Sequence, residues 1–187
     1  MSEVDLHAAL QQHFNFSAFR PSQQAAIEHV LAGRNTLVVM PTGAGESLIY
    51  QLAALMLPGT ALVFSPLIAL MKDQVDSLAQ RGHAATYINS SLDTAEQTRR
   101  VRSLSNGDYK LILVAPERLR QPSFRAALKQ ESISLLAVDE VHCLSHWGHD
   151  FRPDYLHIAD ARTDFNAPVT LALTATATPL YGSACYH

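Results

Sequence analysis

The chain has 187 residues, 48% of them apolar and 17% charged, and a formal net charge of −3. That is enough apolar material for one domain over residues 1–187 with a sizeable core. The weak negative charge excludes a global basic field, so any nucleic-acid contact has to come from local groups. No apolar run approaches the roughly 18 residues of a membrane span, and MSEVDLHAAL lacks the basic-then-apolar order of a secretory signal. Two cysteines, Cys143 and Cys185, are too few for a disulfide framework, so a soluble, cytoplasmic protein with no membrane partner is expected.

In chain order, short apolar runs recur at TLVVM (36–40), TALVF (60–64), AATYI (84–88), KLILV (110–114), ISLLAVD (133–139) and VTLAL (169–173). Their hydrophobicity is continuous rather than alternating, which reads as strands buried on both faces. Helical spacing with stop signals lies between them, in SQQAAIEHVLAG ending at Gly33, LIYQLAALML, and LIALMKDQVDSLAQRG ending at Gly82. Strand and helix in alternation predict an α/β fold: a three-layer lobe with a mostly parallel central sheet flanked by helices. In such sheets ligands bind at the carboxyl ends of the strands.

Directly after TLVVM comes Pro41-Thr42-Gly43-Ala44-Gly45-Glu46-Ser47, followed by LIYQLAALML. Small residues let a backbone wrap a phosphate with its N–H groups pointing inward, and the start of a helix adds a positive end. The full phosphate-loop pattern is Gly, four residues, then Gly-Lys-Ser/Thr; here Met40 replaces the first glycine and Glu46 the lysine. The second change reverses a charge. At about 4 Å and an effective dielectric near 20 it turns an attraction of order 4 kcal/mol into a similar repulsion, less whatever water and Mg²⁺ screen. Taken alone, the segment also fits a glycine-rich turn that merely joins a strand to a helix.

Further on, SLLAV runs into Asp139-Glu140-Val141-His142. A carboxylate where a buried strand emerges can hold Mg²⁺ through water, with Ser47 supplying a hydroxyl to the same ion, and its neighbour can orient or deprotonate an attacking water. An isolated Asp-Glu pair is also an ordinary solvated strand end. Its occurrence with the glycine-rich loop favours the two halves of a nucleotide site.

The segments FRPSQQ (19–24), MPTGAGES (40–47), SPLIALMKDQ (65–74), NSSL (89–92), APERL (115–119), DEVHCLSHWGHDFRPDY (139–155) and LTATAT (173–178) resemble the RecQ family of superfamily 2 helicases, in family order. The resemblance implies the first RecA-like lobe of an ATP-dependent DNA helicase of the 3′–5′ type, acting in DNA repair or recombination with ATP and Mg²⁺. It places adenine recognition on Phe16, Arg20 and Gln23, and phosphate binding on Thr42, Gly43, Ala44, Gly45, Glu46 and Ser47. Mg²⁺ falls on Ser47 and Asp139, and catalysis on Asp139, Glu140 and His142.

Ser65, Lys72, Thr174 and Thr176 fall in segments that face single-stranded or partly duplex DNA or couple it to the nucleotide, as does Arg118, although Lys72 and Arg118 taken singly read as solvated surface charges. Trp147, His149, Asp150, Phe151 and Arg152 match an aromatic-rich loop that couples DNA binding to hydrolysis. Aromatic faces suit bases, and a guanidinium suits phosphate. Cys143, His146 and His149 share that loop, but structural zinc needs four ligands in closing pairs, so none is expected.

The chain ends eight residues after Pro179, in LYGSACYH (180–187). There the resemblance implies a charged helix and then a second lobe that supplies an arginine finger. With Glu46 in the loop and no second lobe, the expectation is impaired hydrolysis and no strand unwinding by this chain alone; a DNA-binding or interaction module that does not hydrolyse ATP is the alternative.

Overall fold

A computed structural model describes residues 5–41, 43–141, 153–166 and 168–175. Six strands, β1 (Thr36–Val39), β2 (Thr60–Phe64), β3 (Ala85–Ile88), β4 (Leu111–Val114), β5 (Ile133–Val138) and β6 (Val169–Thr174), form one sheet in the order β1-β6-β5-β2-β4-β3. Every pairing in it is parallel. Among the described residues, α1 (Leu6–Phe14) and α2 (Gln23–Leu31) precede β1, and α3 (Glu46–Met56), α4 (Ile68–Gln80), α5 (Thr94–Leu104), α6 (Pro122–Leu128) and α7 (Leu156–Asp164) lie between successive strands.

The continuous apolar runs have a direct cause. On β2, Ala61 and Val63 belong to one core and Leu62 and Phe64 to the other. The same division separates Leu111 and Leu113 from Ile112 and Val114, and Leu135 and Ala137 from Leu136 and Val138. Helices α1 to α4 cover the first face through Leu10, Ile27, Ile49, Leu52 and Met71; α5 to α7 cover the second through Leu104, Phe124, Leu128 and Ile158. With both faces buried, no polar alternation survives in the strands.

Helix starts follow local chemistry. Asp5 caps α1 by accepting the N–H groups of His7 and Ala8, each at 3.0 Å. Asp93 caps α5 by accepting that of Glu96 at 2.8 Å. Helix α3 carries Leu48, Ile49, Leu52 and Ala53 into the core immediately behind the glycine-rich loop, so the loop is anchored at its helical end.

The strand order matters for function. The chain leaves β1 at one edge, enters β2 three places further in, and returns through β5 and β6. The carboxyl ends of β1, β2, β5 and β6 therefore lie side by side, and the loops that follow them converge. The Asp139 N–H donates to Phe64 O at 2.8 Å, tying the end of β5 to that of β2, and the Met40 N–H to Thr174 O at 3.0 Å, tying the end of β1 to that of β6. Among the described residues no helix is long and apolar enough to cross a membrane.

Candidate nucleotide site

Two glycines shape the loop between β1 and α3. Gly43 has φ +80° and Gly45 φ +94°, a region that side chains enter only with strain. A Cβ at Gly45 would stand 2.6 Å from Gln23 Nε2, so the position is closed sterically as well. Gln23, the first residue of α2 and 2% exposed, donates from Nε2 to Gly45 O at 2.9 Å; its Oε1 accepts the Arg20 N–H at 2.8 Å. Arg20 Nη1 donates to Gly43 O at 3.0 Å. The two polar side chains expected to recognise adenine thus also hold the glycine-rich loop, 22 and 23 residues away in sequence.

Between these elements lies a cavity of about 430 Å³ lined by Phe16, Arg20, Gln23, Gly45, Ser47 and Gln51, and by Phe14, Ser77 and Arg81. That volume suits a small organic ligand. Phe16 is 48% exposed and lies nearly parallel to Phe14, with ring centroids 6.4 Å apart and planes at 16°. The Arg81 guanidinium sits over the Phe14 ring, 5.7 Å from its centroid. An exposed ring backed by a second ring and a cation is a rigid platform for a flat heterocycle.

At the other end of the site, Asp139 and Glu140 follow β5. Asp139 Oδ2 accepts the buried Ser65 hydroxyl at 3.2 Å, and Oδ1 accepts the Glu140 N–H at 3.0 Å. Glu140 itself sits at φ +53°, a left-handed conformation that costs a non-glycine residue about 1–2 kcal/mol and is concentrated at functional positions. Burial, then the Glu140 carboxylate, push the Asp139 carboxyl up to about 6, against the lowering effect of Ser65 and the Glu140 N–H. The Tyr155 hydroxyl donates to Asp139 O at 3.0 Å and braces this turn from the far side.

Glu46 opens α3 in the same neighbourhood. Burial and the nearby Glu140 carboxylate raise its pKa, while a hydrogen bond from the Gly43 N–H works in the opposite direction. The Gly43 carbonyl on this turn is held by Arg20. Behind the loop, the fully buried Tyr50 hydroxyl donates to Gln74 Oε1 at 2.6 Å; burial, then Asp139, push its pKa up.

The structure brings Phe16, Arg20, Gln23, Gly45 and Ser47 to one cavity and ties Gly43 to it through Arg20, with Glu46 opening α3 beside them, while Ser65, Asp139 and Glu140 are bonded together at the end of β5. Ala44 completes the loop turn through its N–H bond to Pro41 O at 3.0 Å. Thr174, at the end of β6, is buried and joined to the loop through Met40.

Lys72 lies apart, on an exposed face of α4 in an ion pair with Asp76. The surface-charge reading of Arg118 is corrected: the residue is 8% exposed, with its guanidinium bonded to Gln97 Oε1 on α5, because the turn Pro116–Arg120 packs against α6 and α7. Thr42, His142, Cys143, His146, Trp147, His149, Asp150, Phe151, Arg152 and Thr176 lie outside the described residues, as does the tail 180–187.

Phe14, Gln51, Ser77 and Arg81 entered the site only through tertiary packing, and no local motif marks them. Tyr155 closes the quoted segment ending RPDY, but nothing local signalled its bond to Asp139. Among the described residues no group of three or more His, Cys, Asp or Glu side chains is placed to hold a metal ion.

Residues 20–181 match the DEAD/DEAH box helicase family. The chain belongs to that family. Within it, the chain is 48% identical over 179 residues to the ATP-dependent DNA helicase RecQ of Bacillus subtilis, covering 93% of this chain and 30% of that protein. It is 44% identical to the RecQ helicase of Pasteurella multocida, over 92% of this chain and 27% of the relative. With ATP-dependent DNA helicase Q5 of Rattus norvegicus it shares 41%, over 95% and 19%. The chain thus spans less than a third of the length of these relatives and corresponds to a RecQ-type first lobe.

Among solved structures, the Mycobacterium smegmatis helicase Lhr bound to ssDNA and AMP-PNP superposes with a TM-score of 0.69 at 22% identity, covering 92% of this chain and 25% of that one. A hypothetical ATP-dependent RNA helicase from Sulfolobus tokodaii gives 0.68 at 19%, covering 91% and 50%. At such identities these likenesses establish the RecA-like helicase fold of this DEAD/DEAH member.

Proposed function

We propose that the chain is the nucleotide-binding motor lobe of a RecQ-type DNA helicase of the 3′–5′ type that acts in DNA repair or recombination, with its phosphate-binding limb impaired by Glu46. The observation that carries this is the cavity joining Phe16, Arg20 and Gln23 to Gly45 and Ser47, with Asp139 and Glu140 at the neighbouring strand end. Adenine would stack on Phe16 and meet the Gln23 amide, and the loop N–H groups would face phosphate.

The donor set fits Mg²⁺: a Ser47 hydroxyl, and in Asp139 a carboxylate whose buried charge a dication would offset. When bound, Mg²⁺ neutralises charge on the phosphates. Asp139 is held in place by Ser65 and the Glu140 N–H, and Glu140 is the group positioned to accept a proton from water. Ser65 and Thr174 fit a coupling role, since both join the strand ends that carry the loop and the acidic pair. DNA is the partner that the relatives' names support, and single-stranded or partly duplex DNA is the form assigned to it in this reading. In the helicase reading Trp147, His149, Phe151 and Arg152 contact it and His142 joins the catalytic group.

A second reading is a DNA-binding module that does not hydrolyse ATP. Glu46 at the place of the loop lysine favours it, because a carboxylate there repels phosphate.

The test is fluorescence titration of an ATP analogue with Mg²⁺ into Glu46→Lys, alone and combined with Phe16→Ala. Binding by the single variant and about tenfold weaker binding by the double variant are expected, a stacking contribution of about 1.4 kcal/mol. Failure of Glu46→Lys to bind at all would remove the nucleotide-site reading. A titration with single-stranded DNA at two salt concentrations tests the DNA partner, since phosphate contacts weaken as salt rises.

A further inference from the structure

Away from the nucleotide site, the turn Pro116–Arg120, α6 and α7 enclose a cavity of about 520 Å³. It shares no lining residue with the cavity of Phe16 and Gln23. Leu119, Pro122 and Ala126 form the apolar part of its wall, and Arg120, Arg125 and Lys129 the cationic part. Arg125 on α6 and Lys129 at its C-cap are four residues apart, which puts them on one side of the helix a turn from each other.

Among the described residues these three cations share two carboxylates in ion pairs. Arg120 pairs with Asp154, and Arg125 and Lys129 both pair with Asp164, the lysine at 2.9 Å. The Arg120 and Lys129 side chains are 59% and 50% exposed and their carboxylate partners 22% and 21%, so the cations are the outer members and meet an incoming group first. Lys129, then Arg125, hold the Asp164 carboxyl below its ordinary range. Residues 116–131 carry Arg118, Arg120, Arg125 and Lys129 against Glu117 and Glu131, a local excess of two positive charges in a chain of net charge −3.

We propose that this cavity docks an acidic peptide segment of a partner protein, with an apolar side chain against Leu119, Pro122 and Ala126 and carboxylates beside Arg120, Arg125 and Lys129. Asp164 shows that one carboxylate bridges the last two, and it engages a single nitrogen of each, leaving a guanidinium and an ammonium with further donors. The charge excess sets the sign of the partner, and the apolar wall sets its second requirement. DNA is the rival occupant, because Leu119 closes the APERL segment that the family resemblance places near DNA. A phosphodiester backbone answers the charge but leaves the apolar wall uncovered, whereas an acidic segment with an apolar residue answers both. Exposed ion pairs contribute little singly, so affinity rests on the apolar contact and charge adds a salt-sensitive attraction.

The test is fluorescence anisotropy with a fluorescein-labelled Glu-Glu-Leu-Glu-Glu-Leu peptide, titrated with the unaltered protein, Ala126→Glu and Lys129→Gln. Ala126 and Lys129 are both exposed, and circular dichroism checks that each variant is folded. Saturable binding to the unaltered protein is expected, weakened about tenfold or more by Ala126→Glu, which sets a carboxylate on the apolar wall, and about threefold or more by Lys129→Gln. Replacing either the glutamates by glutamine or the leucines by serine in the peptide should weaken binding by about tenfold.

No binding by the unaltered protein, or equal binding by all three proteins, would overturn the inference. So would equal binding of the serine-substituted peptide, which would leave charge alone. If the two variants weaken binding of an oligothymidylate and not of the peptide, the cavity is a nucleic-acid contact and the peptide inference fails.

Discussion

Asp139→Asn should stabilise the protein at neutral pH while abolishing any hydrolysis. The Asp139 carboxyl lies at about 6 in the folded chain against an ordinary 3.8, through burial and the neighbouring Glu140. A raised carboxyl means that the fold disfavours the charged form. Below about pH 4 the group is neutral in both folded and unfolded chains and contributes nothing. As pH rises from about 4 to 6 the unfolded chain ionises first, and stability falls. Above pH 6 the full penalty is in place. A gap of about two pH units corresponds to about 3 kcal/mol.

Asparagine is neutral throughout. Its oxygen can accept the Glu140 N–H and its amide can donate to Ser65 Oγ, so both contacts of the carboxylate have a replacement. Urea unfolding of both proteins at pH 4.5 and pH 8 measures the difference. The variant should gain about 2–3 kcal/mol at pH 8 and much less at pH 4.5. A variant no more stable than the parent at pH 8, or a gap between the two that does not change with pH, would refute the claim that Asp139 is a buried, strained carboxylate.

Gly45→Ala should be costly for both fold and binding. It places a Cβ 2.6 Å from Gln23 Nε2 at φ +94°, so the Gln23 bond to Gly45 O is lost as well; about 2–3 kcal/mol of stability and most adenine binding should disappear, measured by denaturant unfolding and adenosine titration. Tyr155→Phe removes the hydroxyl bond to Asp139 O from a fully buried ring, and should cost about 1 kcal/mol in the same unfolding assay.

Much of the sheet was legible from sequence for one physical reason. Strands covered on both faces have to be apolar throughout, so runs such as TALVF stand out from polar helix faces. Their ends were less legible: Met40 and Lys110 extend the runs 36–40 and 110–114 beyond the strands, because hydrophobicity does not report where ladder pairing stops. Helix α5 gave the opposite problem, burying only Leu104 and so carrying no apolar stripe to mark it.

At the site, the loop and acidic pair were legible because glycines and carboxylates at strand ends are local signals. The Phe14 ring and Arg81 were not, since the face of α1 and the end of α4 that meet the cavity are chosen by packing. Arg118 was misread for the same reason: burial by Gln97 is a long-range contact that charge alone does not reveal.

The account turns on a carboxylate standing where the family's phosphate loop carries a cation. Calorimetry of Mg²⁺-ATP binding to the unaltered protein, Glu46→Gln and Glu46→Lys tests it most directly. Affinity should climb in that order, with about tenfold or more at each step, because each exchange changes the local charge by one unit beside the phosphates. Equal affinity across the three proteins would contradict it.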